Sequence, residues 1–121
     1  MKVCVLLPYK ENFSSEYAGA VSIFIRDTIL KSKHKNQTTV YGLTKFKQNF
    51  LERYVNLSLE NRSIFQSSSN LYVENFIKNK EVCNADIIEI HNRPNYVNKI
   101  LLLKEPKKIL FFHNDPLTMS G

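Results

Sequence analysis

The sequence predicts an α/β domain of the Rossmann-like, three-layer kind, with a mainly parallel sheet of about five strands between helices. Three observations lead there. Short runs of β-branched and leucine residues recur along the chain, and stretches with helical apolar spacing stand between them. Two of the runs, "DIIEIHNRPNYV" and "KKILFFHNDP", break off at a His-Asn pair with a proline close behind. Strands alternating with amphipathic helices call for right-handed crossovers and a sheet covered on both faces.

The elements follow in order. Lys2 to Pro8 is a continuous apolar run stopped by proline, the pattern of a strand buried on both faces. From about Gly19 to Ser32, Val21, Phe24, Ile25, Thr28 and Ile29 recur at helical spacing. Thr38 to Gly42 is a second short strand. Val55, Leu57 and Leu59 alternate in period two between Tyr54 and Leu59, which predicts a third. A helix is expected from about Ser69 to Asn79, with Tyr72, Val73, Phe76 and Ile77 on one side and the serines from Ser67 to Ser69 as its cap. Ile87 to Ile90 is a fourth strand, Asn95 to Leu103 a helix, and Ile109 to Phe112 a fifth strand.

Composition limits the function. With 121 residues, 43% of them apolar, the chain is one domain's worth and buries roughly two thirds of its unfolded surface. Cys4 and Cys83 lie inside apolar patterns without C-x-x-C or ligand spacing, so both read as buried free thiols of a reducing, cytosolic compartment. The N-terminal stretch has neither a small-residue cleavage site nor a membrane-length apolar run. The net charge of +6 is spread over clusters at Lys31, Lys33 and Lys35, at Lys45 and Lys47, at Lys78 and Lys80, and at Lys104, Lys107 and Lys108. Most of these fall at expected helix C-terminal ends, where the helix dipole favours cations. No aromatic-interleaved pattern or recognition helix supports nucleic acid as a partner. Scattered basic residues suit peripheral contact with an anionic membrane instead.

Several chemistries lack their apparatus. The chain has no G-x-G-x-x-G after the first strand, no G-x-x-x-x-G-K-[ST] and no G-x-S-x-G. His91, His113 and Asp115 make only a weak zinc pattern, with histidines from separate strand ends and no nearby third ligand. What remains is geometric. In an open parallel sheet the strand order reverses beside the first strand, and ligands bind outside the carboxyl ends at that point. The loop from Pro8 to Gly19, the His91-Asn92-Arg93 segment and the His113-Asn114-Asp115 segment should therefore line one crevice. Pro94 suits a first helical turn, which would start a helix beyond Arg93 with its amides facing that crevice.

At these strand ends "EYAGAVSIFIRD", "ADIIEIHNRPNYV" and "ILFFHNDPLTMSG" closely resemble the N-terminal domain of retaining GT-B glycosyltransferases of the family 4 type, in particular the bacterial polysaccharide and lipopolysaccharide branch. The resemblance implies the incomplete N-terminal half of a two-domain enzyme that moves a sugar from a nucleotide-sugar donor to a saccharide or lipid-linked acceptor, without a cofactor. It implies that His113 faces the donor sugar near the reacting centre. His91, Asn92, Arg93, Asn114 and Asp115 would line the acceptor side, and Ala18 and Gly19 would lie near the donor diphosphate. Ala18 stands where the family usually has a first glycine. The family's donor-binding domain is missing from the 121 residues, so the expectation is a truncated product, inactive alone. Its fifth strand, lacking a sixth beside it, should pair with another chain in a dimer or larger species. Two other classes stay open: a stand-alone α/β ligand-binding or regulatory module, and a basic adaptor for membranes or nucleic acid.

Overall fold

A computed structural model describes residues 1–14, 19–44, 51–57, 59 and 67–112. The elements are β1 (Val3–Leu6), α1 (Ala20–Lys31), β2 (Thr38–Gly42), β3 (Tyr54–Asn56), α2 (Ser68–Lys78), α3 (Lys80–Cys83), β4 (Ile87–His91), α4 (Val97–Ile100) and β5 (Lys107–Phe111), with short 3-10 turns at Lys35–Gln37 and Pro94–Tyr96. The five strands form one sheet in the order β3-β2-β1-β4-β5, and every pairing is parallel. Helices lie on both faces, so the fold is Rossmann-like.

β1 occupies the centre because its whole length is apolar and buried. Val3 is in register with Thr38 on one side and Ile87 on the other. The Leu7 N–H still donates to the Tyr41 carbonyl at 3.0 Å, and the strand then ends at Pro8, whose nitrogen carries no hydrogen. Side chains alternate between faces, which divides β1 between two cores. Val3, Val5 and Leu7 pack with Phe13 and with Val21, Ile25 and Ile29 of α1. Cys4 and Leu6 pack with Tyr72, Val73 and Phe76 of α2, Ile88 and Ile90 of β4, and Ile100 of α4. Handedness explains the division. A right-handed connection from β1 out to β2 puts α1 on one face, and connections running the other way, into β4 and β5, put α2 and α4 on the opposite face.

Local chemistry sets the boundaries. Ser67 caps α2, its hydroxyl accepting from the Asn70 N–H at 3.1 Å. Asn79 ends that helix and starts the next, its side-chain oxygen accepting from Glu81 N–H at 2.9 Å. No helix was expected over Lys80–Cys83, since one asparagine rarely signals both a stop and a start. β3 is shorter than the alternation from Tyr54 to Leu59 implies. The Asn56 side chain turns to the backbone of Thr44, accepting from its N–H at 2.8 Å and donating to its carbonyl at 3.2 Å. Leu57 and Leu59 still pack against the core, so the period-two pattern recorded burial beyond the strand.

The helix expected from Asn95 to Leu103 is instead a 3-10 turn followed by α4, ending at Ile100. Tyr96 N–H donates to the Arg93 carbonyl, the tight three-residue bond that a 3-10 turn requires. β5 starts at Lys107, ahead of the apolar residues, because Lys107 N–H reaches the Asp86 carbonyl at 2.9 Å. Both cysteines are free. Cys4 is buried as expected; Cys83 is only half-buried, at the end of α3 near the amino edge of the sheet. Lys31 and Lys78 lie in last helical turns. Lys45 and Lys47 fall outside the described residues. Among the described residues no helix is long and apolar enough to cross a membrane.

Burial in these cores raises the pKa of several tyrosines and so opposes their ionisation. Tyr54 is pushed up to about 12, mainly by desolvation, and Tyr41 and Tyr72 also rise, again mainly by desolvation. An unfolded tyrosine ionises near pH 10. The fold therefore favours the neutral phenols; the Tyr54 contribution is complete below about pH 10 and lost as pH climbs through about 12, and those of Tyr41 and Tyr72 are lost at still higher pH. Melting temperature should fall steeply across that window. In Tyr41→Phe, which gives up only a long 3.9 Å contact to the Cys4 sulfur, the fall should be shallower. Identical melting curves for the two proteins across this range would refute the assignment.

Candidate functional site

The strand order turns back at β1 and β4, and the loops leaving their carboxyl ends border the crevice where open parallel sheets bind ligands. The first loop begins with a tight turn. Glu11 N–H donates to the Pro8 carbonyl at 3.0 Å, and Lys10, at the turn's third position, has φ 70°. A side chain in that left-handed region costs about 1–2 kcal/mol, so the turn holds Lys10 against its own preference.

The same turn aims Glu11 at the start of α1. Its carboxylate accepts from the Gly19 N–H and from the Ser22 hydroxyl, both at 2.9 Å. Gly19 is the N-cap residue and has no side chain to cap with. Its value is space rather than conformational freedom: a Cβ there would lie 2.3 Å from a Glu11 oxygen. Gly19 thus leaves room for an anion at the backbone, and the anion present is the chain's own carboxylate.

The second loop leaves β4. Asn92 also has a left-handed φ, 59°, and its N–H donates to the Phe111 carbonyl at 2.8 Å, which ties the loop to β5. Arg93 has φ −142° and ψ 78°, and its guanidinium donates to the Asn92 carbonyl at 2.7 Å. Pro94 opens the 3-10 turn. With only four residues in α4, the helix dipole expected behind Arg93 amounts to little, and the charge at this rim is carried by Arg93 itself.

Tyrosines join the two loops. Tyr9 N–H donates to the Tyr96 hydroxyl at 3.0 Å, and the buried Tyr72 hydroxyl donates to the Leu7 carbonyl at 2.7 Å. The Tyr9 and Tyr72 rings are 5.5 Å apart, and Tyr72 and Tyr96 are 6.3 Å apart. The Lys10 ammonium lies 5.5 Å from the centre of the Tyr9 ring. Tyr72 and Tyr96 are buried beneath, so the part-exposed Tyr9 ring with the Lys10 ammonium beside it is the aromatic face at this edge. Such a pair suits a polar ligand that presents C–H faces and either hydroxyl or anionic groups.

His91 is placed differently from its neighbours. It is 2% exposed, stacked on Phe111 at 4.7 Å with 4° between the planes, and Phe24 of α1 lies at 6.3 Å. Its Nε2 is 3.5 Å from a carboxylate oxygen of Glu89, two residues earlier on the same face of β4. The imidazole is thus packed on the α1 face of the sheet, beneath the loop. Gly19, Asn92 and Arg93 share the carboxyl edge; Ala18, His113, Asn114 and Asp115 fall outside the described residues. Sequence reasoning missed Glu11, Tyr9, Lys10, Tyr72 and Tyr96. Their roles depend on turns and cross-loop distances, and only the proximity of Tyr9 to Pro8 at a strand end offered a signal.

A cleft of about 800 Å³ opens at the opposite, amino edge, lined by Met1, Cys83, Asp86, Glu105 and Lys107 among others. It is far from the strand ends where this fold positions ligands, so the carboxyl-edge crevice is the candidate. No family model, curated protein or solved structure matches the chain.

Two expectations follow for variants. Glu11→Ala and Gly19→Ala should each destabilise by about 1 kcal/mol, the usual loss of a helix cap. The double variant should cost no more than the larger single change, because both break one contact. Urea denaturation of the four proteins decides this, and additive losses would mean the two residues act separately. Lys10→Gly should raise stability by up to about 1 kcal/mol by relieving the turn. An unchanged or lower midpoint would show that Lys10 carries no such strain.

Proposed function

We propose that the chain is the acceptor-side, Rossmann-like domain of a GT-B glycosyltransferase of the family 4 type, acting in cell-surface polysaccharide synthesis. The observation that carries this reading is the position of His91-Asn92-Arg93-Pro94 at the carboxyl end of β4, beside β1, where the strand order turns back. A motif that the resemblance assigns to the acceptor side thus stands next to the tyrosines and Lys10 at the fold's ligand edge. Tyr9 would offer a face to a sugar ring, and Arg93 and Lys10 would orient its hydroxyl or anionic groups. His113 would face the donor sugar, and a second domain would hold the nucleotide. A diphosphate near Ala18 and Gly19 would need Glu11 to withdraw from the Gly19 N–H. Cytoplasmic synthesis at the inner face of an anionic membrane fits the basic surface.

Amide NMR titration of the chain with oligosaccharides and lipid-linked saccharide analogues tests the reading. Shifts are expected at Tyr9, Lys10, Asn92 and Arg93. Arg93→Ala should weaken binding about tenfold, as expected for one lost charge-assisted hydrogen bond, without changing the melting temperature. Absence of saccharide binding, or shifts confined to Met1, Asp86 and Lys107 at the amino edge, would refute it.

A further inference from the structure

Lys10 and Arg93 stand on the two loops that border the carboxyl-edge crevice, and these loops leave β1 and β4, neighbouring strands about 4.8 Å apart. The loops are tied together. Tyr9 N–H donates to the Tyr96 hydroxyl at 3.0 Å and Tyr96 N–H to the Arg93 carbonyl at 3.1 Å, so a short run of bonds joins one cation to the other. Lys10 holds its ammonium 5.5 Å from the centre of the Tyr9 ring, and Arg93 gives one guanidinium N–H to the Asn92 carbonyl. Among the described residues neither cation has a carboxylate partner.

The acceptors beside them are committed. Glu11 gives its carboxylate to the Gly19 N–H and the Ser22 hydroxyl. Asn56 turns its side-chain amide to the Thr44 backbone, and neither Asn12 nor Asn92 is free. The carbonyls of Leu7, Pro8, Asn92 and Arg93 already accept from Tyr72, Glu11, Arg93 and Tyr96 respectively. A sugar hydroxyl both donates and accepts, so a neutral ring is held best by carboxylates and amides that can accept as well. Ammonium and guanidinium groups only donate. A group that only accepts, a carboxylate or a phosphate, matches these donors and also relieves the repulsion between two cations on adjoining loops. Backbone strain points the same way. Lys10 has φ 70° in a turn position that glycine fills readily, so keeping a lysine there costs about 1–2 kcal/mol. Strain of this kind clusters at ligand clamps.

We propose that the saccharide taken up at this edge is acidic: Lys10 and Arg93 jointly hold its carboxylate or phosphate while its ring lies on Tyr9. This rests on the saccharide reading of the edge and adds the class of sugar to it. A uronate and a phosphate ester present the same acceptor-only oxygens, and that shared chemistry is what two donor-only side chains recognise. Because Lys10 lies beside the Tyr9 ring, the charged group and the stacked ring belong to one sugar unit.

Calorimetric titration of the full chain with matched sets of oligosaccharides tests it, each set comprising a neutral form, a form ending in a uronate and a form bearing a phosphate ester. The acidic members should bind at least about tenfold more tightly than the neutral one at low salt, and the difference should shrink as salt is raised. Lys10→Met and Arg93→Gln should each draw that ratio towards one. A uronate preferred to a phosphate, or the reverse, identifies the source of the charge and supports the clamp in either case. Equal affinity for neutral and acidic members, or an acidic preference that survives both substitutions, would overturn the acidic-sugar proposal and leave the saccharide reading standing. No binding by any member of any set would overturn both. Should Lys10→Met fail to fold, Lys10→Gly, which relieves the turn, takes its place with the same expected loss of preference.

Discussion

The structure depends on β1 being paired on both sides and covered on both faces. No other strand of the sheet has every residue buried. Full burial of a valine or leucine side chain is worth about 1.5–3 kcal/mol, against about 1 kcal/mol net for a typical hydrogen bond. The apolar run from Val3 to Leu7 therefore outweighs any single polar contact nearby. Because its alternate residues belong to different cores, a one-residue slip of β1 would exchange Cys4 and Leu6 for Val5 and Leu7 on each face and misfit both. Fixing β1 also fixes the place where the chain leaves the sheet, and the candidate site is built at that exit.

Polar contacts then position what burial has placed. Tyr72, fully buried in α2, gives its hydroxyl to the Leu7 carbonyl, so a core side chain satisfies the last backbone acceptor of β1 before the loop. Tyr96, beyond β4, accepts from Tyr9 N–H in that loop. These bonds link α2, the first loop and the 3-10 turn across the crevice. Each is modest alone, yet removing one partner would leave a buried group unsatisfied, which costs about 1–3 kcal/mol. That asymmetry makes the tyrosines positioning groups for the loops even where they touch no ligand.

Most of the sheet was legible because apolar runs and their punctuation carry the signal. Pro8 ended β1, Ser67 capped α2, and the His-Asn break marked the end of β4. The reversal of strand order beside β1 was readable too, since an alternating α/β pattern calls for one. Legibility failed where side chains replaced backbone partners, as Asn79 did in restarting a helix and Asn56 in shortening β3, and where the Arg93 carbonyl, accepting from Tyr96 N–H, held a 3-10 turn in place of a full helix. Within the site, the edge positions of Gly19, Asn92 and Arg93 followed from topology alone. The packing of His91 against Phe111 did not, because it requires the β4–β5 register, which pairs those two residues. Glu11 was invisible for a similar reason: its approach to Gly19 depends on a left-handed turn at lysine, a residue that gives no warning of one.

That contact gives the two ends of the first loop a shared fate. α1 begins with unpaired amide groups and a positive dipole end, and its N-cap glycine has no oxygen to offer. Glu11 supplies the acceptor from eight residues away, and it reaches only because Lys10 accepts a left-handed backbone. The strain at Lys10, about 1–2 kcal/mol, is comparable to the value of the cap it makes possible. The turn and the cap are therefore closely balanced. A group that withdrew the Glu11 carboxylate would release the strain at Lys10 while exposing the Gly19 N–H, and would itself have to accept from that N–H to leave the helix start satisfied. The turn that carries Tyr9 and Lys10 is thus coupled to the start of α1 through one carboxylate, and through Tyr96 to the Arg93 loop. Neither side of the crevice can be rearranged without a compensating hydrogen bond on the other.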